Sequence, residues 1–389
     1  MTIVFTPHLE RVLKDGSGDG FIVRRTTRNG REYTVIRYDK KALTGEEENV
    51  LDIGRFRSVI VEGDRIRCVA PPKSLDTTSF KSSLSENGCR GEQFVEGTMI
   101  NVFHDSSLET SKDLGRWEIA TRSCVGADTR FFSWTTKTFR QMFVEALVHV
   151  SGRDDPLADL DTGFFYSMVL QHPENRIVTP FAEPALYLVA AYRVTDDGLG
   201  VENAPCAMRK ALETCRWLRS PEVYATGGAE VVQKLQDEWQ SGAKNYEEPG
   251  VMLHDDQNRT RSKIRNPAYE NVRRLRGNQP KLQYRYLSLS SEERSEYVRY
   301  YPEAEEAFRE YGAQVEEFSR ELHSAYMQCK VRREVPLSNV PSKFRTHVYH
   351  LHGEYVNTLR SEGKIVTRDV VRDYVNGVPA ALLMHGINR

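Results

Sequence analysis

The feature that most constrains the fold is a change in the spacing of apolar residues near Pro280. Before it, "GFIVRRT", "REYTVIRYD" and "FRSVIVEGDRIRCVA" place apolar or β-branched residues at every second position, with "NG" and "EGD" as turns. That spacing predicts short strands. After it, "SSEERSEYVRYYPEAEEAFREYGAQVEEFSRELHSAYMQC" has a helical period, and Ser290 followed by Glu293 predicts a capped helix start. We therefore expect an α+β protein, with a body over 1–280 and an all-helical C-terminal domain over 281–389.

The body also contains helical segments and one further strand pair. Apolar residues recur on one helical face over 137–150, and helices are predicted over 206–219 and 229–241. "GVMLHDD" and "SKIRNPAY" predict two paired strands. Residues 74–92 are rich in Ser, Gly and Asn, so we expect a loop there.

Charge and cysteine usage narrow the class of protein. The formal net charge is −1, so any site for a polyanion must be a local patch. The six cysteines form no CxxC pair, which argues against a zinc ribbon or a small disulfide scaffold and fits a reducing compartment. No apolar run approaches the roughly 20 residues of a membrane span, and the N-terminal segment lacks a signal-peptide pattern. We expect an intracellular protein without membrane segments.

Three short segments could carry chemistry. In "FVEGTMINVFHD", Glu96 and Gly97 stand at the mouth of a strand, where glycine lets a ligand approach the backbone. Arg122 ends the strand "WEIATRS", and an arginine fork suits phosphate oxygens. "HPENRIVTPF" is a polar turn between apolar strands. Each segment also has a plainer explanation, namely a turn with an exposed acid, a solvated arginine or an asparagine-stabilised turn.

The most concentrated charge lies in residues 259–285. This basic stripe has nine Lys or Arg and one acid, with tyrosines between them, and it includes Arg273, Arg274 and Arg276. Basic groups neutralise phosphates and aromatic rings stack on bases, so the stripe predicts nucleic-acid binding. The alternative is a solvated face that pairs with acids such as the "EAEE" run at 303–306.

In chain order, "FRSVIVEGDRIRCVAPPKSL", "FVEGTMINVFHD" and "WEIATRSCVGA" resemble segments of the RNA ligase-like proteins of large DNA viruses, and a resemblance to phage-type RNA ligases continues through "HPENRIV" and "KIRNPAY". Those proteins are related to the phage-type RNA ligases of the covalent nucleotidyltransferase superfamily, and the resemblance covers roughly residues 50–285. It implies an ATP-grasp-like nucleotidyltransferase fold of antiparallel sheets with flanking helices. It also implies ATP and Mg²⁺ (or Mn²⁺) as cofactors, RNA or DNA ends as partners, and a location in host cytoplasm or the virion.

The resemblance assigns roles position by position. In that family a lysine attacks the α-phosphate of ATP, and AMP then passes to an RNA 5′-phosphate. Acids hold the divalent ion, here expected to be Glu96 and Glu248 (or its neighbour Glu247). The residues implied to bind nucleotide are Arg57, Glu96, Gly97, Arg122, Glu248, Lys263 and Arg265.

Two positions depart from the family pattern. Phe94 stands where the family has its nucleophilic lysine, and Val169 stands where it has a glutamate. One interpretation makes Lys73, after two prolines, the replacement nucleophile. A second is a catalytically degenerate viral protein that binds nucleic acid or acts in regulation. A third is a virion component whose functional surface is the helical tail, 281–389.

Overall fold

The computed structural model describes residues 2–5, 8–16, 20–111, 113–132 and 135–389. The strands are β1 Thr2–Val4, β2 Phe21–Arg28, β3 Arg31–Tyr38, β4 Val59–Glu62, β5 Arg65–Val69, β6 Cys89–Gln93, β7 Thr98–His104, β8 Trp117–Ala120, β9 Phe165–Gln171, β10 Ala185–Val194, β11 Gly200–Asn203, β12 Val223–Gly227, β13 Gly250–Asp255 and β14 Thr260–Arg265. They build one six-stranded sheet in the order β1-β11-β10-β9-β7-β8 and two four-stranded sheets, β2-β3-β4-β5 and β12-β6-β13-β14.

The helices lie between the strands and, after β14, follow one another without interruption. They are α1 His8–Asp15, α2 Glu47–Asp52, α3 Thr77–Ser82, α4 Phe139–Ser151, α5 Pro205–Thr214, α6 Ala229–Gln240, α7 Pro267–Arg276, α8 Leu282–Ser288, α9 Ser291–Tyr300, α10 Glu305–Tyr326, α11 Ser342–Glu354, α12 Arg368–Asn376 and α13 Ala380–Ile387. Neighbouring strands within each sheet are antiparallel. The predicted α+β class, with antiparallel sheets, flanking helices and a helical C-terminal segment, is confirmed.

The chain divides into two compact units. Unit 1 comprises 1–131 and 135–273, and unit 2 comprises 132–134 and 274–389. The sequence placed the change of texture at Pro280, whereas the packing places it inside α7. Each helix among the described residues is too short or too polar to cross a bilayer.

The six-stranded sheet of unit 1 is buried on both faces. One face packs against α4 and α5 through residues such as Met142, Leu147 and Leu186. The other packs against the β2–β5 sheet, where Ile60 and Phe165 belong to one core. Because water is excluded from both faces, this double layer is the stable base of the unit.

The third sheet, β12-β6-β13-β14, has an apolar core on one face, where it packs against α6. Leu235 of α6 packs with Val251, Leu253 and Ile264 of the sheet. Gly91 of β6 lets α6 pack closely here, because a Cβ would approach Leu235 Cδ1 to 2.6 Å and force that side chain to shift. Since side chains alternate along a strand, the residues between these core positions point to the opposite face.

Unit 2 has its own helical core, built from α10, α11, α12 and α13. Phe318, Leu322, Val348, Val371 and Leu383 belong to it. At the start of α9, the predicted capping box between Ser290 and Glu293 is confirmed.

Most predicted elements are present, and one prediction is wrong. β13 and β14 pair as expected, from Gly250 opposite Arg265 to Asp255 opposite Thr260. The segment 74–92, expected to be a loop, contains α3 and most of β6. Asp76 caps α3, and Gly91 packs closely against α6. Small and polar residues of this kind are also common in loops, which explains the wrong prediction.

Gly97, at the entrance to β7, occupies a position that only glycine fits. Its φ is +145°, and a Cβ there would lie 2.4 Å from the carbonyl oxygen of Leu170 on β9. The expected tight backbone is therefore present, and here it serves strand pairing, because Thr98 lies directly opposite Leu170.

We expect Gly97→Ala to lower the free energy of unfolding of unit 1 by about 1–3 kcal/mol, since the new methyl group clashes with backbone that cannot move. Urea denaturation measures the change. Gly163→Ala is the matched control, because a Cβ there meets only the Asp161 carboxylate at 3.4 Å and φ is not positive. Equal stability of the two variants would contradict the proposed constraint.

Candidate functional site

The face of the third sheet that points away from α6 carries charged residues at paired positions of neighbouring strands. Lys263 on β14 lies opposite Met252, which lies opposite Glu92 on β6. Arg261 and Arg265 flank Lys263 at alternate positions of β14, so all three side chains share that face. The fold thus converts the period-two pattern of "TRSKIR" into a row of three cations.

Two further segments bring cations to this row. The Pro71 carbonyl oxygen accepts hydrogen bonds from Arg57 Nη1 at 3.4 Å and from Arg261 Nη2 at 2.9 Å. Arg122 Nε donates to the Arg57 carbonyl oxygen at 3.2 Å. Lys73 is held by its backbone N–H, which donates to Gly54 at 3.0 Å. Arg57, Lys73, Arg122, Arg261, Lys263 and Arg265 are called the cationic cluster below.

The cations of the cluster lower one another's proton affinity. Burial, together with the charges of Arg265, Arg57, Arg261 and Lys73, lowers the pKa of Lys263 to about 8. Burial and the charge of Arg57 lower the pKa of Arg261 to about 9. Burial also lowers the pKa of Arg57, and the charge of Arg122 lowers it further. Positive charge therefore exceeds negative charge at this place, where Glu270 pairs with Arg265 and Glu92 acts on Arg261.

Two buried guanidinium nitrogens in this region, Arg261 Nε and Arg259 Nη1, have no hydrogen-bond partner among the described residues. The same holds for the Thr260 hydroxyl between them. Both arginines, with Lys73 and Arg55, line a cavity of about 70 Å³. Buried donors are almost always paired in folded proteins, so water or an anion is the natural partner here.

Phe94 stands next to this cluster. Its N–H donates to the Gly250 carbonyl oxygen at 3.1 Å, and Gly250 lies opposite Arg265. Because Gly250 has no side chain, Arg265 reaches across it, and its guanidinium lies 5.6 Å from the Phe94 ring centroid. Arg265 is also paired with Glu270. The resemblance implies a nucleophile at position 94. In the structure this position is a phenylalanine whose ring contacts an arginine.

Glu96 is a buried hydrogen-bond acceptor. Its carboxylate accepts from the Val178 N–H at 3.0 Å, from the Thr179 N–H at 3.2 Å and from Thr179 Oγ1 at 3.1 Å. The Tyr269 hydroxyl also bonds to it, and burial followed by the Glu96 charge raises the pKa of Tyr269. Glu96 thereby ties the segment after β9 and helix α7 to the start of β7, and both oxygens are occupied within the protein.

The described residues do not fit a divalent metal. No group of three or more His, Cys, Asp or Glu suited to a metal occurs among them. Glu96 is only 5 % exposed, and its carboxylate is already hydrogen-bonded. Glu248 has an exposed side chain, and its backbone carbonyl oxygen accepts a hydrogen bond from Asn266. Val169 is a buried residue of β9 and offers no oxygen. Neither the occupied Glu96 carboxylate nor Val169 therefore offers the free carboxylate oxygen that Mg²⁺ takes in addition to phosphate oxygens and water.

The three arginines predicted to bind nucleic acid lie in different surroundings. Arg273 is exposed and paired with Glu270, and Arg274 is exposed. Arg276 is only 5 % exposed, its Nη1 donates to Tyr297 at 3.0 Å, and its guanidinium lies 4.4 Å from the Phe132 ring centroid. The prediction is wrong for Arg276, because that side chain belongs to the aromatic core of unit 2.

Sequence reasoning missed the acid of this sheet face. Glu92 is 8 % exposed and bonds to His254 at 3.1 Å and to Arg90 at 3.1 Å. Burial opposes its charge, but His254 and Arg90 outweigh burial and lower the pKa of Glu92. The alternation in "CRGEQ" could have revealed this residue, but the loop expected over 74–92 concealed the strand. Arg261 could have been found from the alternation in "TRSKIR".

Comparisons with known proteins give structural likenesses only. No protein-family model matches the sequence. No curated protein matches it either. A putative ATP-dependent DNA ligase from Aquifex aeolicus has a TM-score of 0.44 at 13 % identity, over 91 % of this chain and 81 % of that one.

Two RNA ligases are also similar in backbone. An archaeal ATP-dependent RNA ligase has a TM-score of 0.42 at 11 % identity, over 73 % of this chain and 66 % of that one. A mutant Naegleria gruberi RNA ligase with AMP and Mn has a TM-score of 0.37 at 8 % identity, over 52 % of this chain and 57 % of that one. At these identities and TM-scores the likenesses establish no family and no function.

We expect Glu96→Gln to destabilise the ligand-free protein by about 1–3 kcal/mol, because the amide nitrogen cannot accept the hydrogen bonds that the carboxylate oxygens accept. Urea denaturation without nucleotide or metal measures the loss. Glu213→Gln, an exposed acid on α5, is the control and should be neutral. Unchanged stability of Glu96→Gln would mean that its carboxylate is free for another role.

We expect Arg276→Met to destabilise unit 2 by about 1–3 kcal/mol, since it removes a charge-assisted hydrogen bond and a cation–π contact. Hydrogen exchange of the α9 and α10 amides reports the loss. Arg299→Met on α9 is the control. If Arg276→Met changed nucleic-acid affinity and left exchange unaltered, the structural role assigned to Arg276 would be wrong.

Proposed function

We propose that unit 1 is an RNA ligase-like nucleotidyltransferase domain that binds ATP, with the phosphates at the cationic cluster and nucleic-acid ends as partners. The proposal is supported by the five sequence segments that resemble such ligases and by the positions of their basic residues. Lys263 and Arg265 on β14 lie in one cluster with Arg57 and Arg122, which come from two other segments of the chain.

The observation that carries the proposal is the excess of positive charge in a partly buried place. Burial, together with the charges of neighbouring cations, lowers the pKa values of Lys263 and Arg261. Such an arrangement is unfavourable in the free protein and becomes favourable when an anion enters. Guanidinium forks match phosphate oxygens, so a polyphosphate is the anion that suits this site.

Transfer of AMP is one of two candidate functions of this domain. A lysine amine has to lose its proton before it attacks the α-phosphorus, and the P–O bond to pyrophosphate breaks as the P–N bond forms. Lys73, the sequence candidate, belongs to the cluster, with Nζ 3.5 Å from the Ser74 carbonyl oxygen. Lys263 is the second candidate, because its lowered pKa makes the neutral amine more abundant near neutral pH.

A second candidate function is nucleotide and nucleic-acid binding without transfer. Phe94 cannot act as a nucleophile, and its ring contacts Arg265. Val169 cannot bind a metal or a ribose hydroxyl, and Glu96 is occupied by Val178, Thr179 and Tyr269. These observations favour a site that retains the charges for binding and has lost groups for catalysis.

We expect the double variant Arg57→Gln with Arg261→Gln to bind ATP at least tenfold more weakly than the unchanged protein, since two charge-assisted contacts are lost. Isothermal titration calorimetry measures the affinity. Arg209→Gln, an exposed arginine of α5, keeps the same change of residue type outside the cluster and should bind normally. An unchanged protein that binds no ATP would remove the proposed function.

Incubation with α-labelled ATP and Mg²⁺ or Mn²⁺, followed by denaturing electrophoresis, distinguishes the two candidates. Because Phe94 replaces the expected lysine, we expect no label to remain on the denatured protein. A label that disappears in Lys73→Arg, or in Lys263→Arg, would identify the nucleophile and reject the candidate function without transfer.

A further inference from the structure

We infer that this site binds the triphosphate of ATP without a divalent metal, with the cationic cluster supplying the charge that a metal ion would otherwise supply. The inference rests on the proposed function, namely ATP binding at the cluster. It concerns the form of the nucleotide that binds and goes beyond the resemblance, which implies Mg²⁺ or Mn²⁺.

The site offers no free carboxylate oxygen from Glu96 or Glu92 to a divalent metal. A bound Mg²⁺ takes one or two carboxylates in addition to phosphate oxygens and water. Both Glu96 oxygens accept hydrogen bonds from the protein, and recruiting them would leave the N–H groups of Val178 and Thr179 without their acceptor. Glu92 is likewise bound to His254 and Arg90.

The cationic cluster already supplies positive charge at this site. Arg265, Arg57, Arg261 and Lys73 all lower the pKa of Lys263, so their charges reach the same point. Glu270 offsets part of the Arg265 charge, and Glu92 acts on Arg261 while bound elsewhere. A divalent cation placed among these groups would be repelled by them, whereas a metal-free triphosphate, which carries more negative charge than its magnesium complex, would be attracted.

Two guanidinium groups in or beside the cluster each have an N–H donor that lacks an acceptor among the described residues. Arg261 Nε and Arg259 Nη1 are buried without an acceptor in the described structure. Phosphate oxygens that are not shared with a metal have free lone pairs for such donors. The surroundings therefore offer nitrogen donors to the phosphates where a metal-dependent site offers carboxylates to an ion.

A protonation change gives the inference a second readout. The groups that face Lys263 are Arg261 and Arg265 on its own strand, Arg57 and Lys73 from the neighbouring segments, and Glu92 and His254 across the sheet. Its pKa is about 8 in the free protein. A bound polyanion raises that pKa, so binding near pH 8 takes up about half a proton. Affinity should fall as the pH rises through this pKa.

The test is calorimetric titration of the full chain with ATP, in EDTA and in excess Mg²⁺. We expect binding in EDTA, and affinity several-fold weaker in Mg²⁺, because the magnesium complex carries less negative charge. Binding only in Mg²⁺, or affinity that Mg²⁺ increases tenfold or more, would overturn the inference and leave the proposed function intact. Absence of binding under both conditions would remove the proposed function itself.

Lys263→Arg is the matched variant, since it keeps the positive charge and removes the titration near pH 8. We expect it to bind ATP in EDTA with little change in affinity and to take up no proton when the titration is repeated in buffers of different ionisation enthalpy. Proton uptake that persists in Lys263→Arg would show that another group titrates and would overturn the assigned response. Arg209→Gln should match the unchanged protein in both measurements.

Discussion

The Pro71 carbonyl oxygen holds two guanidinium groups side by side, those of Arg57 and Arg261. Groups of like charge separate in water unless something fixes them, so this shared acceptor is the contact on which the site depends. A proline carbonyl is well suited to the task, because the ring restricts the backbone and the residue has no N–H of its own to satisfy. Lys263 and Arg265 are positioned by strand register, Arg122 by the Arg57 carbonyl oxygen, and Lys73 by the Gly54 carbonyl oxygen.

The electrostatic strain at this place is tolerated because apolar packing stabilises the elements that carry it. Ile264 and Leu253, which alternate with the charged residues of the same sheet, are fully buried against α6. On the β4 side, Val59 and Ile60 follow Arg57 almost directly and are fully buried too. Arg57 and the three cations of β14 thus lie beside or on strands whose opposite face is packed in a core, and their side chains cannot withdraw without disturbing it.

The sequence predicts contacts within a strand far better than contacts between distant segments. The pattern of apolar residues was enough to predict β13 and β14 as a strand pair. It could not show that Glu96 is enclosed, because its partners Val178, Thr179 and Tyr269 are more than eighty residues away. Arg276 was misjudged for the same reason, since its aromatic neighbour Phe132 lies far upstream. A basic stripe in the sequence combines residues that the fold then sorts into surface and core.

The distribution of rigid and adjustable cations gives the site its chemical character. Arg265 is held from two sides, by Glu270 and by the Phe94 ring, so little conformational freedom remains to be lost when a phosphate binds. Lys263 can change its charge near neutral pH, because burial and its neighbours lower its pKa. An aromatic residue at position 94 therefore does more than remove an amine. It fixes a permanent charge beside a variable one, which favours recognition of an anion over attack on it.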